Sequence, residues 1–117
     1  MSSFKRAAFA LVVLSSFLFT MIAPANAETI MEKIQKGEPI VQGIGNDSPM
    51  GYIDKDGKPV GIEVELVKMI LTQMGAKNVQ QNVTTFGALI PGIQAGRFDI
   101  ASDGIYIRPE RCEAVQF

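Results

Sequence analysis

The amino-acid sequence predicts an α/β fold with a parallel sheet. From residue 28 onward, short apolar segments of strand character alternate with segments of helical periodicity, which is typical of parallel strands joined by helices. The composition fits a globular protein, since 47% of the 117 residues are hydrophobic and 20% are charged. Histidine is absent and cysteine occurs once, which excludes zinc sites built on His or paired Cys, His-dependent triads and internal disulfides.

Residues 1–27 have the pattern of a cleaved secretory signal. Lys5 and Arg6 precede an uncharged, mostly apolar run, and an Ala-Asn-Ala cleavage site ends at Ala27. An uncleaved membrane anchor is the alternative, but serine and threonine dilute the run and small residues occupy both cleavage positions. We therefore expect cleavage after Ala27 and export to the periplasm.

The exported chain begins with a predicted helix, a strand and a hairpin. The helix covers residues 28–36 and Gly37 closes it, and the first strand covers residues 39–45. Residues 46–51 are rich in turn formers and predict a loop. The Asp-Gly pair within residues 54–58 predicts a tight hairpin turn.

The clearest predicted element is an amphipathic helix over residues 63–74, ended by Gly75. Glu63 at its start is interpreted as a favourable interaction with the helix dipole. Apolar side chains recur at the spacing i, i+3, i+4 and i+7, which defines one helical face. We expect that face to be buried, and it consists of Val67, Ile70, Leu71 and Met74.

Two further strands complete the predicted sheet, over residues 79–84 and 98–101. Phe98 lies inside the third strand and is expected in the core.

Two further helices accompany these strands. One covers residues 86–95, where Pro91 predicts a kink and Gly96 supplies the cap. The other begins at Pro109, because proline is favourable in the first turn of a helix. We expect Cys112, within this last helix, to be buried.

Charge and glycine patterns exclude other binding functions. Residues 28–117 carry nine basic and twelve acidic side chains, net −3, and the basic ones do not cluster, so we expect no nucleic-acid partner. The glycines of residues 43–48 lack the third glycine of a dinucleotide-binding loop. Those of residues 51–58 lack the spacing and hydroxyl residue of a phosphate loop. The sequence predicts no cofactor and no metal site.

Candidate ligand-binding residues lie in three predicted loops, because ligands of open parallel sheets bind beyond the carboxyl ends of the strands. An arginine beside aromatic rings suits a small zwitterion, since the guanidinium grips a carboxylate and the rings hold a cationic or delocalised nitrogen group. Taken singly, the arginine is more typical of a solvated surface, the aromatics of a core and the aspartate of a turn cap. The candidates are Asp47, Met50, Phe86, Gly104, Tyr106 and Arg111.

Three segments resemble family 3 of the bacterial extracellular solute-binding proteins, the receptors of amino-acid-type ABC importers. They cover residues 57–66, 86–100 and 104–111, in the family's order and spacing. Within the family, residues 47–52, Phe86-Gly87 and residues 109–112 look most like receptors for ectoine and hydroxyectoine.

The resemblance implies a periplasmic-binding-protein-like type II fold, in which two α/β lobes close on a ligand. Residues 28–117 would be the N-terminal, incomplete part of the first lobe. The implied partners are a small zwitterionic ligand and a membrane ABC permease, and the full-length receptor would be a monomer without enzymatic activity.

The resemblance also implies residue roles. Arg111 matches the arginine that binds the ligand carboxylate, Phe86 and Tyr106 match aromatic walls, and Asp47 matches an acidic residue of the ectoine-type site. Met50 stands where those receptors usually have a third aromatic, and Arg108 stands where the wider family usually has threonine.

Two other functions are compatible with the same resemblance. One is a periplasmic enzyme on this fold, which would need titratable groups in the cleft; apart from Glu110, the carboxylates of the predicted loops are Asp47 and Asp103. The other is the sensor lobe of a membrane-bound signalling protein.

Overall fold

The computed structural model describes residues 28–117, and the signal peptide predicted over residues 1–27 lies outside the described residues. Among residues 28–117, no helix is both long enough and apolar enough to cross a membrane. In chain order the elements are α1 (Ile30–Lys36), β1 (Ile40–Ile44), β2 (Tyr52–Ile53), β3 (Pro59–Val60), α2 (Ile62–Gln73), β4 (Val79–Val83), a 3₁₀ turn (Phe86–Ala88), α3 (Leu89–Gln94), β5 (Ile100–Ala101) and α4 (Pro109–Cys112).

The main sheet has three parallel strands in the order β4-β1-β5. Strand β1 is central: Ile40 pairs with Val79 on one side, and Gln42 pairs with Ile100 on the other. Strands β2 and β3 form a separate antiparallel hairpin at the predicted Asp-Gly turn. The predicted parallel α/β fold is confirmed, because helices connect strands that run the same way.

Helix α1 begins and ends with the local signals that its sequence contains. Thr29 and Glu32 form a capping box at its start, and Gly37 ends it in the left-handed conformation. The Lys33 ammonium lies 2.6 Å from an Asp99 carboxylate oxygen, and this contact raises the pKa of Lys33. The other Asp99 oxygen accepts a 2.8 Å hydrogen bond from the Val41 amide, so a single carboxylate joins α1, β1 and the start of β5.

The buried face of α2 differs from the predicted one. Val64 and Leu71 are buried, whereas Ile70 and Met74 are 45% and 42% exposed. The helix is apolar around most of its circumference, so the i, i+3, i+4, i+7 pattern fits more than one face. Packing against the sheet selects the face through Val64 and Leu71, and the prediction for Ile70 and Met74 was wrong.

The core lies on both faces of β1. On one face, Ile40 packs with Leu71 and Ala76. The ring of Phe98 is buried, as predicted, and lies close to the α-carbons of Gly43 and Gly92. Glycine at both positions leaves room for the aromatic ring between β1 and α3.

Two predictions about the helices need correction. The helix predicted over residues 86–95 is a 3₁₀ turn followed by α3, and Pro91 lies in the first turn of α3, where its missing N–H has no intrahelical acceptor to lose. Cys112 is exposed rather than buried, because α4 is a single short turn with no buried residue.

Candidate functional site

The three predicted loops do meet at one edge of the sheet. The carbonyl of Ile44 accepts a 2.8 Å hydrogen bond from the Thr84 amide, where the chain leaves β4. The carbonyl of Gly43 accepts a 3.1 Å bond from the Ser102 amide, where the chain leaves β5. Because both bonds end on the last residues of β1, the loops after all three strands begin side by side.

The loop after β1 is a closed turn that lies against the start of α2. Asp47 and Gly51 exchange two backbone hydrogen bonds of 2.7 and 3.0 Å. The carbonyls of Pro49 and Met50 accept bonds from the first amides of α2, those of Ile62 and Glu63. These backbone hydrogen bonds hold the loop in place. Asp47 itself is exposed.

Met50 and Gly104 lie together at the middle of this edge. A methyl group on Gly104 would lie 3.7 Å from the Met50 Cγ, in ordinary contact. Gly104 has a φ of 63°, a conformation that favours glycine, and its amide donates a 3.0 Å hydrogen bond to Glu63 Oε1. The Glu63 side chain, in the first turn of α2, therefore connects this helix to the loop after β5.

Arg111, Phe86 and Tyr106 form the second part of the edge. The Arg111 guanidinium carbon lies 5.6 Å from the centre of the Phe86 ring, within cation–π range. Its Nη1 donates a 2.8 Å hydrogen bond to the Tyr106 carbonyl. Phe86 is 43% exposed and Tyr106 is 75% exposed, so neither ring belongs to the core.

Asp103 is the residue that sequence reasoning did not single out as a site residue. It is 3% exposed, and neither carboxylate oxygen has a hydrogen-bond partner among the described residues. A methyl group on Gly45 would collide with its Oδ2 and would lie 3.1 Å from the Phe86 α-carbon. Burial raises the pKa of Asp103 and the negative charges of Asp47 and Glu63 raise it further, while the nearby Gly45 backbone amide opposes this rise.

Gln42, fully buried on β1, connects the elements around Asp103. Its Nε2 donates a 2.7 Å bond to the Ser102 hydroxyl and a 3.2 Å bond to the Glu63 carbonyl. The end of β1, the start of α2 and the loop after β5 are thereby held at fixed distances.

The structure thus brings the predicted residues together in two groups at one edge, Met50 with Gly104 and Phe86 with Tyr106 and Arg111. Asp47 lies in the same loop as Met50, where its backbone pairs with Gly51. Within residues 28–117, no group of three or more His, Cys, Asp or Glu side chains is arranged to hold a metal ion. The two groups offer a guanidinium, backbone hydrogen-bonding groups and aromatic surface at this edge.

Comparison with protein families gives a match over residues 40–117 to the model described as bacterial extracellular solute-binding proteins, family 3. A protein of Sinorhizobium fredii named as a probable amino-acid ABC transporter periplasmic-binding protein is 42% identical over 104 residues. That alignment covers 87% of this chain and 34% of the relative, so the chain spans about a third of the relative's length.

Two solved structures have a similar fold. EhuB, solved in complex with hydroxyectoine, is 32% identical with a TM-score of 0.65, over 72% of this chain and 33% of that one. An ancestral cyclohexadienyl dehydratase is 30% identical with a TM-score of 0.65, over 74% of this chain and 36% of that one. These matches confirm the predicted periplasmic-binding-protein-like type II fold.

Proposed function

The chain belongs to the bacterial extracellular solute-binding proteins of family 3, and from this we propose that it is part of a periplasmic receptor of an ABC importer. Its ligand is an amino acid or an amino-acid-like compatible solute such as ectoine or hydroxyectoine. The observation that carries the proposal is the Arg111 guanidinium, held over an exposed aromatic ring at the edge where the strands end.

In this proposal Arg111 binds the carboxylate of the ligand. Arginine has five N–H donors, and the bond to the Tyr106 carbonyl uses one of them while fixing the plane of the group. A guanidinium fixed in this way can bind a carboxylate through two parallel hydrogen bonds with little further loss of side-chain entropy.

The aromatic side chains form walls of the proposed site. Phe86 and Tyr106 expose large apolar surfaces next to Arg111. Such rings hold an aliphatic chain by burial and a nitrogen cation by the negative charge of the ring face.

Asp47, Met50 and Gly104 complete the proposed site on its other side. The exposed Asp47 carboxylate accepts hydrogen bonds from a nitrogen donor of the ligand. Met50 packs against the apolar part of the ligand, since a thioether adapts to irregular shapes. Gly104, without a side chain, keeps the space next to Met50 open.

The identity of the ligand is proposed at two levels. The name of the Sinorhizobium fredii relative supports an amino acid, and the hydroxyectoine complex of EhuB supports an ectoine-type solute. Met50 provides no aromatic ring, so one cation–π contact expected of an ectoine-type site is missing.

A receptor is favoured over an enzyme. The dehydratase structure shows that enzymes occur on this fold. In this chain, however, Glu63 is engaged by the Gly104 amide and Asp103 is buried, so neither is free to assist the exposed Asp47 as a general acid or base, which needs access to substrate. The Sinorhizobium fredii relative is also named as a binding protein. The same name does not favour the sensor alternative.

In the proposed cycle, the receptor is exported, releases its signal peptide after Ala27 and works as a monomer. Ligand binding closes the lobes, and the closed form is recognised by a membrane ABC permease.

The experiment that tests the proposal is calorimetric titration of the full-length protein with amino acids and ectoine. Arg111→Ala should weaken binding by about 30-fold or more, since truncating one partner of a desolvated charge pair costs about 2–5 kcal/mol. Arg97→Ala is the matched control, because the Arg97 guanidinium carbon lies 5.7 Å from the Phe98 ring but outside the site. Unchanged affinity in Arg111→Ala, or equal losses in both variants, would refute the role of Arg111.

A further inference from the structure

We infer that Glu63 is a positioning residue for the proposed site, which sets ligand affinity by holding the loop that carries Tyr106 and leads to Arg111. It acts through the Gly104 amide rather than on the ligand. This inference rests on the proposed binding function and names a residue outside the predicted candidates. It is carried by hydrogen bonds that join Glu63 to three segments at the edge of the sheet.

Glu63 lies where the loop after β1, strand β1 and the loop after β5 meet. Its amide donates a 3.0 Å hydrogen bond to the Met50 carbonyl, in the loop after β1. Its carbonyl accepts a 3.2 Å bond from Nε2 of Gln42, which is fully buried on β1. Its carboxylate accepts a 3.0 Å bond from the Gly104 amide, in the loop after β5. The two backbone bonds fix the position of Glu63, and the side chain is the part that reaches the third segment.

The loop after β5 depends on this carboxylate because its own backbone is bonded at few points. Residues 103–107 lie in no helix or strand. In the part of the chain that the structure describes, their backbone groups make two hydrogen bonds, from the Gly104 amide to Glu63 and from Arg111 to the Tyr106 carbonyl. The second bond lies within the proposed site itself. Glu63 therefore supports this stretch of backbone from outside the loop.

The Asp103 side chain is a separate attachment of the same loop. Its carboxylate is buried and lies near the Gly45 amide, at the end of β1. This attachment remains when Glu63 is replaced. If it were sufficient, removing the Glu63 carboxylate would change neither the loop nor the affinity for ligand.

Without the bond from Gly104, the ligand has to order the loop as it binds. A hydrogen bond to a carboxylate contributes more than one between neutral groups. When it is lost, the arrangement that presents Tyr106 and Arg111 is populated for a smaller fraction of the time, and the apparent dissociation constant rises in inverse proportion to that fraction. A helix-dipole role alone would have no such effect, and Glu65, in the same first turn of α2, would share it.

The test compares Glu63→Met with Glu63→Gln, two uncharged side chains of similar length that differ in the acceptor oxygen. Amide hydrogen exchange, followed by NMR in the full-length protein without ligand, measures whether the loop is held. The Gly104 amide should exchange at least about tenfold faster in Glu63→Met and within about threefold of the wild type in Glu63→Gln. Glu65→Gln is the matched control, since Glu65 is exposed, and it should leave this exchange unchanged.

Calorimetric titration of the same proteins with ectoine and the common L-amino acids measures the effect on binding, for each compound that the wild type binds. Glu63→Met should weaken binding by about tenfold or more, and Glu63→Gln by less than about threefold. Glu65→Gln should leave the affinity unchanged. A residue that served only the helix dipole would give equal results in Glu63→Met and Glu63→Gln, because both lose the charge. If Glu63→Met does not fold, Glu63→Ala takes its place in the comparison.

The remaining outcomes separate the inference from the proposed function. If the variant without an acceptor binds as tightly as the wild type, or if Glu63→Gln loses as much affinity as that variant, the inference is wrong while the receptor function stands. Unchanged exchange at Gly104 would also overturn the inference, and this measurement needs no ligand. If the wild-type protein binds no amino acid and no ectoine, the proposed function fails and the inference fails with it.

Discussion

Replacing Gly92 by alanine tests how the segment that carries Phe86 is seated on the sheet. Gly92 lies in α3, and a methyl group at this position would collide with the Phe98 ring. The ring has little room to move, because it is 4% exposed and also lies against Gly43, where a methyl group would come within 2.6 Å of it. The collision must therefore move α3 or the ring.

Two opposing terms set the size of the effect. Alanine is favoured over glycine in a helix by about 1 kcal/mol. Overpacking a well-filled core typically costs about 1–3 kcal/mol, and here the added methyl has no flexible neighbour to displace. Because the Phe98 ring is buried, we expect an overpacking cost in the upper part of this range, about 2–3 kcal/mol. After the propensity gain of about 1 kcal/mol, Gly92→Ala should lower the free energy of unfolding by about 1–2 kcal/mol.

Urea unfolding of the purified protein measures this difference, and Gly87→Ala is the matched control. Gly87 lies five residues earlier in the same segment, and a methyl group there would have nothing within 4 Å. Alanine at Gly87 should therefore be neutral or raise the free energy of unfolding by up to about 1 kcal/mol. If Gly92→Ala is as stable as the wild type, or rises together with Gly87→Ala, the close packing of α3 on Phe98 is refuted.

Two further predictions concern carboxylates. Asp99→Ala should lower the free energy of unfolding by about 1.5–3 kcal/mol, since the Val41 amide loses a charge-assisted hydrogen bond. Asp99→Asn keeps an acceptor for this amide and should lower the free energy of unfolding by less. Equal losses for the two variants in urea unfolding would contradict this role of Asp99. The raised pKa of Asp103, which faces Asp47 and Glu63, means that the folded state binds its proton more tightly than the unfolded state. The free energy of unfolding of the wild type should then fall relative to that of Asp103→Asn as pH rises from about 4 through the pKa of Asp103 in the folded state. If the wild type and Asp103→Asn differ in free energy of unfolding by the same amount at pH 4 and at pH 7, this prediction is wrong.

The fold could be predicted wherever the signal was local. Gly37 ends α1 and the Asp-Gly pair forms the hairpin turn through their own backbone conformations. The bounds of α1 and of the hairpin were therefore predicted within one or two residues. The buried face of α2 depends on how the helix packs against the sheet, whose strands are distant in the chain. Because α2 is apolar around most of its circumference, several of its faces could pack there. That is why the predicted apolar face included Ile70 and Met74, which are 45% and 42% exposed.

The candidate site was predicted to a similar extent. Parallel strands bring their following loops to one edge whatever the loops contain, so Phe86 and Arg111 could be placed together from topology alone. Glu63 was interpreted only as a helix-start acid, whereas its side chain accepts a bond from the Gly104 amide, 41 residues away. Asp103 was recognised only as a carboxylate of a predicted loop, and its burial could not be predicted, because it depends on the close approach of Gly45, which is distant in the chain.

The two acids of the site differ in exposure, and this difference assigns them different physical roles. Asp47 is exposed, so its attraction for a cation extends into solvent and is screened over about 8 Å at physiological ionic strength. Asp103 is buried, where screening is weak. In the proposed receptor, any attraction between Asp47 and the ligand should therefore weaken as salt is added, whereas the electrostatic cost of ionising Asp103 should change little.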